Sequence, residues 1–134
     1  MALGAVGLAR IKSDYKKYQE ALEFYFIAKD YFTELKMFDY VSSVYQNMSE
    51  TYSDLNQFAE AEKYNNDAIK GFEKSNNLYG LSTAYGTRSM LLQRRGNKVG
   101  ATDFALKSYS ITALIANLPE MAAKANLLYN LYSL

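Results

Sequence analysis

Cysteine, histidine and tryptophan are absent from this sequence, and proline occurs once. Without cysteine or histidine there is no disulfide, no zinc site of the usual thiolate or imidazole kind, no thiolate nucleophile and no imidazole base. A cysteine-free chain is tolerated in reducing and oxidising spaces alike. Localisation is therefore open, with the cytoplasm as the default and a periplasmic input domain as the alternative. One proline and seven glycines are too few for the many turns of a β-sandwich or barrel in 134 residues. No excess of one charge is present either. Fifteen basic against 14 acidic residues leave a net charge of +1, which gives no bulk attraction to nucleic acid or anionic lipid. No apolar run approaches the roughly 18 residues of a membrane span. The apolar opening from Met1 to Ala9 lacks a preceding positive charge and ends at Arg10, so it reads as a helix and not a leader.

What is present is enough apolar residue, 49%, for a packed core, and a repeat. Sliding the sequence on itself by 40 residues aligns Ala21, Ala61 and Ala101, then Phe24, Tyr64 and Phe104, then Ala28, Ala68 and Ser108. Ala9, Ser49 and Ser89 follow the same register, as do Phe38, Leu78 and Leu118, with no insertion along the chain.

Each unit reads as two helices. Tyr18, Ala21, Leu22, Tyr25, Ala28, Phe32 and Leu35 form a stripe at helical spacing, widened by Phe24, Ile27 and Tyr31. Val41, Val44, Tyr45, Met48 and Tyr52 form the next stripe. Asn56 and Asn97 stand where N-caps belong, Gly96 where a helix is released, and Pro119 where a last helix begins. The spacing predicts seven helices, over about 2–13, 18–36, 40–54, 58–75, 79–95, 99–116 and 120–134. Linkers this short force antiparallel neighbours. The chain reads as a single domain, residues 1–134, with units over about 1–39, 40–78 and 79–118 and a terminal helix over 119–134.

On these columns the chain resembles the tetratricopeptide repeat family in a longer, 40-residue form. The second unit matches best, with Met48, Ser49, Tyr52, Phe58, Ala61, Tyr64 and Ala68. The first supplies Leu8, Ala9, Tyr18, Ala21, Tyr25 and Ala28, and the third Ser89, Leu92, Ala101, Phe104 and Ser108. Lys12 departs from the Tyr52 column, Arg88 from the Leu8 and Met48 column, and the closing proline is missing from the first two units. A HEAT-type solenoid is the alternative fold. The resemblance implies an all-α, right-handed superhelical solenoid of antiparallel helix pairs. It also implies a protein- or peptide-binding scaffold, in the manner of input domains of bacterial regulators and sensor kinases or of adaptor proteins.

In such a solenoid the first helix of each pair lines the concave side. The expected partner-binding residues are Arg10, Ser43, Gln46, Asn47, Glu50, Thr83, Thr87, Gln93, Asn126 and Asn130. Amides and hydroxyls both donate and accept, which suits the backbone of an extended peptide. Ser53, Gly86 and Met90 share that face. With so little positive charge, capture of a free C-terminal carboxylate is not expected.

Other readings carry less. Five acids and no base lie between Asp39 and Glu62, and five bases with one acid between Arg88 and Lys107. The plainer account is solvated helix faces, with a two-signed docking surface as the alternative. Arg94, Arg95 and Lys98 are too short a cluster to bind nucleic acid. The thirteen tyrosines fall largely on packed columns, with Tyr15 and Tyr79 expected outside. Glu50 and Asp54 lie one turn apart, but no catalytic motif surrounds them. No enzyme activity, cofactor or metal is expected. The last helix, by contrast, lacks a polar cap. Leu127, Leu128, Leu131 and Leu134 leave it apolar, and Tyr129 takes a column that elsewhere holds a small residue. Two expectations follow, a segment of a longer array or a homodimer through this end.

Overall fold

The computed structural model describes the backbone of residues 2–132, and the side chains within that range apart from those of residues 2, 3, 13, 14, 120, 121, 128, 131 and 132. Six helices follow one another: α1 (Ala2–Asp14), α2 (Tyr18–Glu34), α3 (Phe38–Asp54), α4 (Phe58–Ser75), α5 (Leu78–Arg94) and α6 (Lys98–Tyr132). Among the described residues there is no strand. Helices pack in sequence order, α1 on α2, α2 on α3, and so on to α5 on α6, with a further touch between α3 and α5. The chain is therefore an all-α stack of antiparallel helix pairs.

The turns are built to one plan. Lys16, Lys36, Asn56, Asn76 and Gly96 adopt positive φ between 55° and 83° and lie twenty residues apart. At each, the next amide reaches back to the carbonyl five residues earlier: Lys17 to Lys12 at 2.7 Å, and Met37 to Phe32, Gln57 to Tyr52, Asn77 to Phe72 and Asn97 to Leu92 at 2.9 Å. A left-handed residue with this back-bond satisfies carbonyls that a helix end leaves free. Asn56, expected as an N-cap, instead takes the left-handed position, and Gln57 precedes α4. Asn97 does cap, accepting from the Gly100 amide at 2.9 Å, and Asn77 does the same for Gly80.

The small columns are the contact lines. Ala9, Ala21, Ala28, Ala61, Ala68 and Ala84 are wholly buried. Small side chains let two helix axes approach closely. In the third pair of columns the contact also carries a bond: the Ser49 hydroxyl donates to the Ala61 carbonyl at 2.7 Å, and Ser89 to Ala101 at 2.6 Å. Aromatics fill the gaps between pairs. Tyr64 stacks on Tyr52 at 5.5 Å and lies against Tyr45 at 5.6 Å, and Phe104 meets Tyr85 at 5.6 Å in the same columns. Tyr15 and Tyr79 are exposed, as expected.

The expected seventh helix is not separate, because α6 runs unbroken from Lys98 through Pro119 to Tyr132. Three substitutions within the repeat account for this. The next left-handed position would be residue 116, which is alanine, the best helix former and one that loses about 1–2 kcal/mol in the left-handed region. The earlier returns are also clamped by aromatics. Phe32 stacks on Tyr40 at 4.9 Å, and Phe72 is buried against Gly80. Forty residues on, these columns hold Thr112 and Glu120, so folding back would bury nothing apolar there. Pro119 deprives the Ile115 carbonyl of its helical donor, but residues 116–119 are all exposed and water can supply one.

Candidate functional site

The apolar core has two parts. One joins α1 to α3 and centres on Tyr25, Phe32, Val44 and Met48, and the other joins α4 to α5 around Ile69, Phe72 and Leu81. Between them runs a polar seam. Gln46 on α3 donates to the Thr87 hydroxyl on α5 at 2.7 Å and to Glu50 Oε1 at 3.1 Å. Asn65 on α4 donates to Gln46 Oε1 at 3.3 Å and to the Ala84 carbonyl at 2.9 Å. Each such bond contributes about 1 kcal/mol net, but a buried partner left unmatched costs about 1–3 kcal/mol. Asn65 Oδ1, Ser53 Oγ and Arg88 Nη1 are buried without a partner among the described residues.

In front of the seam, α3 and α5 form two adjoining clefts that share Thr83. The first, of about 300 Å³, is lined by Ser43, Gln46, Asn47 and Thr83, with Phe72 as its apolar wall and Tyr79 at its edge. The second, of about 460 Å³, is lined by Glu50, Asp54, Thr83, Gly86, Thr87 and Met90. Glu50 and Asp54 are exposed, and neither is in an ion pair among the described residues. The Gln46 amide holds Glu50 from below. The surface thus offers amides and hydroxyls at one end and two free carboxylates at the other.

Of the expected partner-binding residues, Ser43, Asn47, Glu50 and Thr83 are brought together at the cleft surface. Gln46 and Thr87 belong to the cleft but are buried, because each is the other's hydrogen-bond partner. Ser53, expected on the same face, is buried as well. Gln93 turns elsewhere, into a groove between α5 and α6. Arg10 is exposed on α1 and lines neither cleft. Asn126 and Asn130 are exposed on the end of α6, away from the clefts, because that helix does not fold back. Leu127 is 60% exposed, whereas the side chains of Leu128 and Leu131, and all of Leu134, lie outside the described residues. Asp54, Asn65 and Tyr79 belong to the site or its floor without having been read as such. Asp54 alone had a visible signal, its place one turn after Glu50.

The charge blocks meet on the surface where α4 packs on α5. Arg95 Nη1 binds both oxygens of Glu62, at 2.8 and 2.9 Å, and the Arg94 guanidinium lies 5.2 Å above the Phe58 ring. Two of the clustered bases therefore hold α5 to α4. Among the described residues no group of acidic side chains is arranged to hold a metal ion, and no helix is long and apolar enough to cross a membrane.

No family model matches this chain, and no curated protein matches it. Among solved structures it is similar to BtubC (BKLC) from P. vanneervenii, with a TM-score of 0.72 and 19% identity. The match covers 80% of this chain and 44% of BtubC, so the chain spans less than half the length of that protein. The likeness is one of fold.

Proposed function

We propose that this chain is a protein- or peptide-binding scaffold of the tetratricopeptide kind, the input or adaptor part of a regulatory protein. Its docking surface is the double cleft between α3 and α5. The reading rests on one observation: Glu50 and Asp54 are in no ion pair among the described residues and line one cleft, continuous through Thr83 with a polar, amide-lined one. An extended segment laid along it meets Asn47 and Ser43 with its backbone and places a lysine or arginine against the carboxylates. The pair is a receptor for a cation and not acid–base machinery, because both groups face water and no desolvated cleft encloses them. No cofactor takes part.

Binding of short basic peptides, followed by fluorescence anisotropy against acidic controls of equal length, tests this. The double variant Glu50→Lys, Asp54→Lys is expected to lower affinity for basic peptides at least tenfold. Its circular dichroism should stay the same, with stability lowered only by about 1 kcal/mol for the lost Gln46–Glu50 bond, since both residues are exposed. Equal binding by parent and variant would remove the cleft as the docking surface.

A further inference from the structure

A second surface, lined by different residues, carries its own argument. Ser89, Gln93, Lys98, Ala101, Thr102 and Ala105 line a groove of about 340 Å³ between α5 and α6. Shifted back by one 40-residue repeat, the same columns are Ser49, Ser53, Phe58, Ala61, Glu62 and Asn65. In that earlier pair the surface is not a groove, because α5 covers it. Ala84 accepts from Asn65, Arg94 lies over Phe58, and Arg95 grips Glu62. The groove is thus a place for the first helix of a further pair.

The chain carries such a helix. Residues 118–132 continue the register of α5: the buried Leu81, Leu91 and Leu92 become Met121, Leu131 and Tyr132. They cannot reach the groove of their own molecule while α6 is straight. The two lie roughly 30 Å apart along one helix at 1.5 Å per residue. The turn that would bring them together has lost both its left-handed residue and its aromatic clamp, while the far end of the segment keeps its apolar columns. Leu127 and Tyr129 meanwhile stay exposed, at 60% and 72%.

We propose that the groove takes residues 118–132 of a second copy of this chain, so that two molecules exchange their final helical segments. The exchange extends the α4–α5 joint by one repeat and sets Ala105 beside Lys124 of the other copy, in the columns of Asn65 and Ala84; the hydrogen bond is not repeated, and the small Ala105 leaves room for the longer lysine. Reciprocal exchange closes a dimer, because each copy offers one groove and one segment.

The absence of cysteine makes the test direct. Single variants Ala105→Cys and Lys124→Cys, both at exposed positions, are mixed and treated with a short thiol-to-thiol cross-linker. A covalent dimer containing one copy of each is expected, with neither variant linking to itself. In sedimentation, the parent is expected to associate with rising concentration. Ala105→Glu, which fills the groove without touching the buried core, is expected to weaken that association at least tenfold while circular dichroism stays the same. A strictly monomeric parent, or no mixed product from folded variants, would overturn the proposal. So would linkage within one chain of the double-cysteine variant at high dilution, which would give the groove to the chain's own segment.

Discussion

Gly80 lies so close to the Phe72 ring that a β-carbon there would enter it. Phe72 is 2% exposed and walls the first cleft, so the ring can yield only by leaving its packed position for that cleft. Gly80→Ala is expected to lose about 1–3 kcal/mol, the usual cost of overpacking, read as a lower urea midpoint with an unchanged slope. At the same column one repeat earlier, Tyr40 stacks on Phe32, so glycine was not required by the repeat itself. Two tyrosines carry a pH dependence. Desolvation raises the Tyr52 hydroxyl above its ordinary range, helped by Tyr64 and Glu60, and desolvation with Glu73 does the same to Tyr85. A raised pKa in the folded chain means that the unfolded chain ionises first. The stabilisation is complete below about pH 10 and is lost as pH rises through the folded value. Melting temperature should therefore fall on the alkaline side, and less steeply in Tyr52→Phe than in the parent.

The helices themselves were legible because apolar spacing and small columns repeat every forty residues: Ala21, Leu22, Tyr25, Ala28 and Phe32 are buried, as are Val41, Val44 and Met48, whereas Ile27, Tyr31 and Leu35, expected to widen or end the first stripe, are exposed. Their starts were read one or two residues late at α3, α5 and α6, since the turn residues there are not uniform: lysine, asparagine and glycine all take the left-handed position. The seventh helix was misread because Pro119 signals a start while Ala116 withholds the turn. That balance is open to measurement. Ala116→Gly costs about 1 kcal/mol of helix stability relative to alanine and permits positive φ. Amide hydrogen exchange at Asn117 and Leu118 should then quicken well beyond the change at Leu106, which sits on the paired half of α6. Equal protection in parent and variant would mean that the unbroken helix does not depend on residue 116.

For the molecule as a whole, the repeat brings Ser43, Asn47, Glu50 and Thr83 to one pair of clefts between α3 and α5, but the chemistry of that surface was only half legible. Spacing shows which way a side chain points and does not show which neighbour will claim it. Gln46 and Thr87 point into the cleft and are then consumed by each other, and Asn65 joins them from a helix that was read as packing only. Glu50 and Asp54 remain available because, among the described residues, neither is in an ion pair. The seam that withdraws Gln46 lies between two apolar clusters that Tyr45 packs against from one side and the other, so the hairpins are coupled by oriented bonds as well as by that ring.

Among the described residues, the side-chain hydrogen bond from Gln46 to Thr87 links residues 41 apart in sequence. No described bond asks the chain to bring its beginning to its end. The loop that must close before any joint forms is thus never much longer than one repeat, and the entropy of closing it is small. Refolding after rapid dilution from urea should be complete within milliseconds, at a rate typical of helical domains. A stopped-flow fluorescence trace of the tyrosines, slow on the scale of seconds, would show that some longer-range event limits it.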